Sequence, residues 1–208
     1  MNIPTSSSAE TATQAIVPAN FLRLVLTGFM GAGKTTVGRL LAARLGWDFL
    51  DLDAYIESRT GLAVPSIFAA HGEAHFRQLE SQALASALAR SNIVLALGGG
   101  TPEILTNRLL LEQTPATATI FLDAPFATLI DRCTMQAITP APNSGTRVLP
   151  RQARPLLADR AAAEARFLAR RPIYRRLARV TIDTTALTTE ETIAALLVSL
   201  NEPPSPRG

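Results

Sequence analysis

The sequence predicts an α/β protein of the doubly wound type, a parallel sheet covered by helices on both faces. Three observations predict it. Short apolar runs alternate with helical patterns along most of the chain. A glycine-rich phosphate-loop pattern sits between the first run and the first helical pattern. The polar residues that could carry chemistry fall just after the runs, at the carboxyl edge where such sheets bind ligands.

The runs are Leu24–Leu26, Asp48–Leu50, Ile93–Leu97, Thr119–Leu122 and Val180–Ile182, read as five strands. Helical patterns occupy Lys34–Leu45, Ala54–Arg59, Leu79–Arg90, Glu103–Leu111, Phe126–Cys133, Ala161–Ala169 and Thr189–Leu200. Residues 1–20 are rich in Ser, Thr and Ala without periodicity and read as a loose arm; 201–208, with three prolines, reads as a flexible tail. Residues 21–200 form a single domain. Ala137 to Pro150, with Pro140, Pro142, Asn143 and Gly145, fits neither helix nor strand, and a lid is expected over about 133–160.

The phosphate loop is Gly28-Phe29-Met30-Gly31-Ala32-Gly33-Lys34-Thr35, the pattern G-x-x-x-x-G-K-[ST]. Leu22–Thr27, broken by Arg23, leads in as a strand, and Val37–Leu45 leads out as a helix. Glycines let consecutive N–H groups turn toward a polyphosphate, aided by the positive end of the helix. Gly31, Ala32, Gly33, Lys34, Thr35 and Thr36 are therefore the candidate nucleotide-binding residues, with Lys34 on the outer phosphates and the Thr35 hydroxyl on Mg²⁺. Of the 20 Lys plus Arg, 19 are Arg, and Lys34 is the only lysine. A compact ammonium fits inside a ring of backbone amides where a planar guanidinium does not.

Composition narrows the class. With 208 residues, 47% hydrophobic and 18% charged, the chain reads as a soluble globular protein. The net charge of +3 comes from arginines clustered late, with no nucleic-acid-binding signature, so anionic small molecules are the expected partners. Cys133 is the single cysteine, which suits a reducing compartment. There is no stretch of membrane-spanning length and no secretory signal pattern at the start, so a cytoplasmic protein is expected.

Four groups beyond the loop could carry chemistry. Asp51 and Asp53 alternate at the end of the second strand, which points both carboxylates to one side of an extended segment. They could hold Mg²⁺ through water and orient or deprotonate a hydroxyl, or equally form an Asp-rich turn capping the helix that follows. His71 and His75 have helical metal spacing, but Gly72 intervenes and no third ligand accompanies them, so they read as a solvated helix start. Arg77 and Glu80 lie three apart, either a surface ion pair or an arginine held by Glu80 to grip an anion. Gly98-Gly99-Gly100 marks close approach to the backbone at a strand end. Arg154 and Arg170 stand out among the late arginines as candidates for a phosphate or an acid.

Taken in order, Gly28–Thr36, Asp51-x-Asp53, Thr60-Gly61, Ile67-Phe68, Gly72-Glu73-x-x-Phe76-Arg77-x-x-Glu80, Gly98-Gly99-Gly100, Arg154-Pro155-Leu156-Leu157 and Arg170-x-Pro172-x-Tyr174 resemble the shikimate kinase family. The resemblance spans roughly Leu22 to Leu200. It implies a P-loop, nucleoside-monophosphate-kinase-like fold with a five-stranded parallel sheet and a mobile lid. It implies ATP and Mg²⁺ as cofactors, shikimate as substrate and a monomer as the working form. Carried over by motif, Arg77 and Arg170 bind the shikimate carboxylate, Gly99 adds a backbone N–H, and Asp53 orients or deprotonates the attacking hydroxyl. Lys34, Thr35 and Asp51 with Mg²⁺, and Arg154 from the lid, serve the transferred phosphoryl group.

Two departures from the family pattern stand out. Cys133 to Ala153 is longer and richer in proline than usual, and Ala186-Leu187 stands where some members carry an arginine beyond Ile182-Asp183-Thr184-Thr185 on the adenine side. The alternatives are another small-molecule kinase of this fold, such as a gluconate kinase, and a ligand-sensing module without turnover.

Overall fold

The computed structural model describes residues 20–138 and 159–202. In chain order its elements are β1 (Arg23–Thr27), α1 (Lys34–Leu45), β2 (Asp48–Asp51), α2 (Leu52–Thr60), α3 (Val64–Leu88) and β3 (Ile93–Ala96). A 3₁₀ turn at Thr101–Glu103 leads to α4 (Leu105–Gln113), β4 (Thr117–Asp123), α5 (Phe126–Ile138), α6 (Arg160–Leu177), β5 (Val180–Asp183) and α7 (Thr189–Asn201). The strands form one five-stranded sheet in the order β2-β3-β1-β4-β5, every pairing parallel.

The period of two along β1 explains the layering. Leu24 and Leu26 point into one core with Val37 and Leu41 of α1 and Ile193, Leu196 and Leu197 of α7. Val25 points the other way, into a second core with Ile56 of α2 and Ile67, Phe76 and Leu84 of α3. β3 repeats the pattern, with Val94 in the first core and Ile93 and Leu95 in the second. Helices therefore cover both faces, as the apolar runs predict. Leu24, Val25 and Leu26 are fully buried, and truncating either leucine to alanine would cost about 2–5 kcal/mol.

Three expectations about elements need correction. The second-face helix starts at Val64, not near Leu79, with Pro65 in its first turn where a missing N–H costs nothing. It runs through His71–His75 and is interrupted at Gly72, whose φ of 79° and ψ of 171° break the helical path. The helix expected from Glu103 is instead the 3₁₀ turn ending there, followed by α4. α6 extends to Leu177 despite Pro172, well past the predicted Ala169. Its apolar stripe, with Ala163, Phe167, Tyr174 and Leu177 all buried, sustains the helix through the bond that proline removes.

β1, β2 and β3 end side by side, so whatever follows each strand meets at one edge of the sheet.

Candidate active site

The loop between β1 and α1 is built as its glycines require. Gly31 has φ of 77°, and a Cβ there would lie 2.3 Å from the Leu129 carbonyl oxygen, so only glycine fits. Gly33, at φ 85°, is the N-cap of α1 and offers no side chain to cap it. The first N–H groups of α1, on Lys34, Thr35 and Thr36, stand at the positive end of the helix dipole and, with no side-chain cap at Gly33, form a donor set. The Lys34 ammonium is folded over the loop and donates to the Gly28 and Phe29 carbonyls at 2.8 and 3.0 Å.

Asp51 makes the helix cap that one reading of the acidic pair expects, and it also meets Thr35 of the phosphate loop. β2 ends on it; one carboxylate oxygen accepts from the Ala54 N–H at 3.3 Å as the N-cap of α2. The other accepts from the Thr35 hydroxyl at 2.7 Å. The extended alternation of Asp51 and Asp53 does not hold, because α2 begins at Leu52 and Asp53 sits in its first turn. Asp53 still reaches the same space. A Cβ on Gly98 would lie 2.8 Å from its Oδ1 and 3.0 Å from Glu80 Oε1.

Around this edge lies a cleft of about 430 Å³. The phosphate loop, Asp51 and Asp53 line one part; Arg77, Glu80, Gly98–Gly100 and Arg170 line the other, with Phe68 and Phe76 as an apolar wall. The Arg77 guanidinium donates to Glu80 at 2.8 Å and to Glu73 at 3.0 Å. Glu80 is almost fully buried, and its second oxygen accepts from the Thr101 hydroxyl at 2.6 Å. Burial works to lower the Arg77 pKa, but the bonds and charges of Glu80 and then Glu73 outweigh it and hold the group above its ordinary value. The Arg77–Glu80 pair is thus a largely buried contact and not an ion pair on the surface.

α6 supplies the other wall. Arg166, Arg170 and Tyr174 recur every four residues, on one stripe of the helix. Arg170 is 8% exposed, donates to Glu103 at 2.7 Å, and leaves its buried Nε without a hydrogen-bond partner among the described residues. The buried Tyr174 hydroxyl donates to the Gly99 carbonyl, tying the glycine strip to α6, and burial pushes its pKa far above the usual range.

At Gly98 and Gly100 the glycine strip is a packing solution, and at Gly99 a Cβ would meet only ordinary contacts. A Cβ at Gly100 would lie 2.6 Å from both Arg77 Nη atoms, while one at Gly99 would sit 3.6 Å from Arg170 and from the Tyr174 hydroxyl.

A family model described as shikimate kinase matches residues 30–201. The chain belongs to the shikimate kinase family. A shikimate kinase of Symbiobacterium thermophilum is 40% identical over 182 residues, covering 87% of this chain and 97% of the relative. The structure of a shikimate kinase from Bacteroides thetaiotaomicron superposes with a TM-score of 0.71 at 30% identity, covering 87% of this chain and 99% of that one. A shikimate kinase from Acinetobacter baumannii, solved in complex with shikimate, matches with a TM-score of 0.65 at 34% identity over 85% of this chain and 91% of that one. The fold is accordingly the P-loop kinase fold, and the chain is an ATP-dependent small-molecule kinase.

Within this shikimate kinase family member, the structure gathers Gly31, Gly33, Lys34, Thr35, Thr36, Asp51, Asp53, Arg77, Gly99 and Arg170 around one cleft. Ala32 lies buried in the same loop. Arg154 and residues 139–158 of the expected lid lie outside the described residues, as do the arm up to residue 19 and the tail from 203. Arg132, on α5, donates to the Thr184 hydroxyl and to the Thr184 and Thr185 carbonyls, bracing the loop after β5. Two lining or bracing residues had no motif to announce them. Arg166 is revealed only by its one-turn offset from Arg170, and Glu103 by nothing local, since its partner Arg170 is 67 residues away. His71 and His75 pack ring against ring at 5.0 Å, and no metal-holding group of three or more His, Cys, Asp or Glu occurs among the described residues.

Proposed function

We propose that the protein transfers the γ-phosphoryl group of ATP to the 3-hydroxyl of shikimate, as a monomer in the cytoplasm, through a single kinase domain over residues 21–200. The observation that carries this reading is the pairing, in one cleft, of a phosphate loop with two buried-edge guanidinium groups, Arg77 and Arg170, suited to a planar carboxylate. A gluconate kinase has no comparable need for two arginines at the acid end, since its acceptor lacks a ring carboxylate set opposite the hydroxyl.

The residues present fit a nucleotide with Mg²⁺. The loop sets the uncapped start of α1 and the Lys34 ammonium side by side, and the Thr35 hydroxyl and Asp51 carboxylate are hard oxygen donors already together. Thr35 would bind Mg²⁺ directly and Asp51 through water, and the bound ion would supply neutralisation of phosphate charge. Every other task falls to the chain. The α1 N–H groups and Lys34 hold the phosphates; Lys34 exchanges two carbonyl contacts for them. Arg77, fixed by Glu80, and Arg170, fixed by α6, orient the acceptor by its carboxylate, with the Gly99 N–H alongside. Asp53 accepts a hydrogen bond from the attacking hydroxyl and takes its proton as the phosphorus–oxygen bond forms. Arg154, assigned by its motif alone, would add a positive charge for the transferred group.

Purified protein with ATP, Mg²⁺ and shikimate should yield ADP and 3-phosphoshikimate in equal amounts, and chelation of Mg²⁺ should stop it. ADP release that does not depend on shikimate would end this reading. Thermal stabilisation by shikimate without ADP release would favour a sensing module instead.

A further inference from the structure

The two arginines read as the acid clamp already face three carboxylates. Arg77 is paired with Glu73 and Glu80, and Arg170 with Glu103, whose same oxygen stands 3.9 Å from Arg77. These five side chains carry one negative charge more than positive, so a further carboxylate competes with the three already present for the same guanidinium donors. Glu80 cannot yield: it is 1% exposed and held by both Arg77 and Thr101. Glu73 is 67% exposed on the outer side of Arg77, with a single contact to that arginine, and its screening by water makes it a weak competitor. Glu103 differs from both. It stands at the end of the short 3₁₀ turn, 38% exposed, and its oxygen lies between the two guanidinium groups, 2.7 Å from one and 3.9 Å from the other.

We propose that Glu103 is an internal substitute for the substrate's carboxylate, a specificity-setting residue that occupies the arginine clamp and must swing out for an acid to bind. This rests on the reading of Arg77 and Arg170 as the acid clamp. Its affinity for the clamp subtracts from that of every ligand carboxylate, because the apparent dissociation constant rises as the competent fraction falls. The device keeps Arg170, buried and with its Nε lacking a partner among the described residues, from standing uncompensated, and it lets only a carboxylate placed well enough to displace Glu103 hold the site.

The test is shikimate binding to the full chain, by calorimetry, with Glu103→Gln and Glu103→Ala beside the wild type. Glutamine keeps the shape and still accepts a bond from Arg170, so the fold is retained while the competing charge is lost. Both variants should bind shikimate roughly two- to fivefold more tightly, the scale of one partly exposed ion pair. The methyl ester of shikimate, which has no charge to exchange for that of Glu103, should gain much less. A weaker-binding alanine variant would make Glu103 a prop for Arg170 and overturn the proposal, as would unchanged affinity in both variants or an equal gain for the ester. A wild-type protein that neither binds nor phosphorylates shikimate would instead strike the functional reading on which the proposal stands, and the two failures are told apart in one series.

Discussion

Gly100→Ala should separate substrate recognition from folding. Gly100 has φ of −92° and ψ of −11°, a conformation alanine adopts readily, so the substitution strains no backbone. The added Cβ would instead lie 2.6 Å from both Arg77 Nη atoms and 2.9 Å from Cζ, against the 3.4 Å at which ordinary contact begins. The guanidinium must retreat by about 0.8 Å, and its bonds to Glu80 at 2.8 Å and Glu73 at 3.0 Å must lengthen or re-form. A misplacement of about 1 Å at a positioning group can cost on the order of 10²-fold, and loss of a charge-assisted bond about 1.5–3 kcal/mol. The variant should therefore lose roughly ten- to hundredfold in kcat/KM for shikimate. Disturbance of the Arg77–Glu80 pair should cost about 1 kcal/mol of stability, which lowers Tm by roughly 2–4 °C. A coupled ADP assay at varied shikimate and varied ATP, with a melting curve, measures all three quantities. An intact, folded variant with unchanged kcat/KM for shikimate would refute the placement of Arg77 at the substrate carboxylate.

Three further outcomes follow from the same geometry. Lys34→Met removes the charge that spans the loop and should lower kcat by about 10²–10³-fold while Tm stays near the wild type, read in the same ADP assay; a normal kcat would refute it. Asp53→Asn keeps the shape but cannot take a proton, and should lower kcat by about 10²–10⁴-fold with little change in shikimate affinity by calorimetry. Tyr174 sets an alkaline limit. Its folded pKa is raised by burial, so its contribution to stability is full below the unfolded value of about 10 and declines above it, by up to about 1.4 kcal/mol per pH unit. Tyr174→Phe leaves the Gly99 carbonyl without that donor and should be less stable near neutrality, but the gap should narrow in urea denaturation between about pH 9 and pH 11. A gap that stays constant over that range would contradict it.

What the sequence made legible was whatever is written locally. The phosphate loop, the strand before it and the helix after it all depend on residues within about a dozen positions, and each lies where periodicity and glycine spacing put it. The same holds for Arg77 and Glu80, one helical turn apart. Asp51 was harder, because capping a helix and meeting Thr35 are compatible tasks and spacing alone does not choose between them. The start of α3 was hidden by Gly72 and by a run of Ala and His with little amphipathic contrast; only Pro65 marked it. Glu103 was out of reach for a different reason. Its role exists only where the turn after β3 meets α6, and a lone glutamate beside a proline carries no trace of an arginine 67 residues later.

The phosphate loop also has a chemical consequence. The chain's one lysine folds over that loop, and its one cysteine, Cys133, packs so near that a methyl group on Gly31 would come within 2.9 Å of its sulfur. The single side-chain amine and the single thiol of the whole polypeptide thus converge on the same few residues. A thiol-directed label, elsewhere scattered over a protein surface, would here report on one loop, and loss of labelling in the presence of nucleotide would read its occupancy directly.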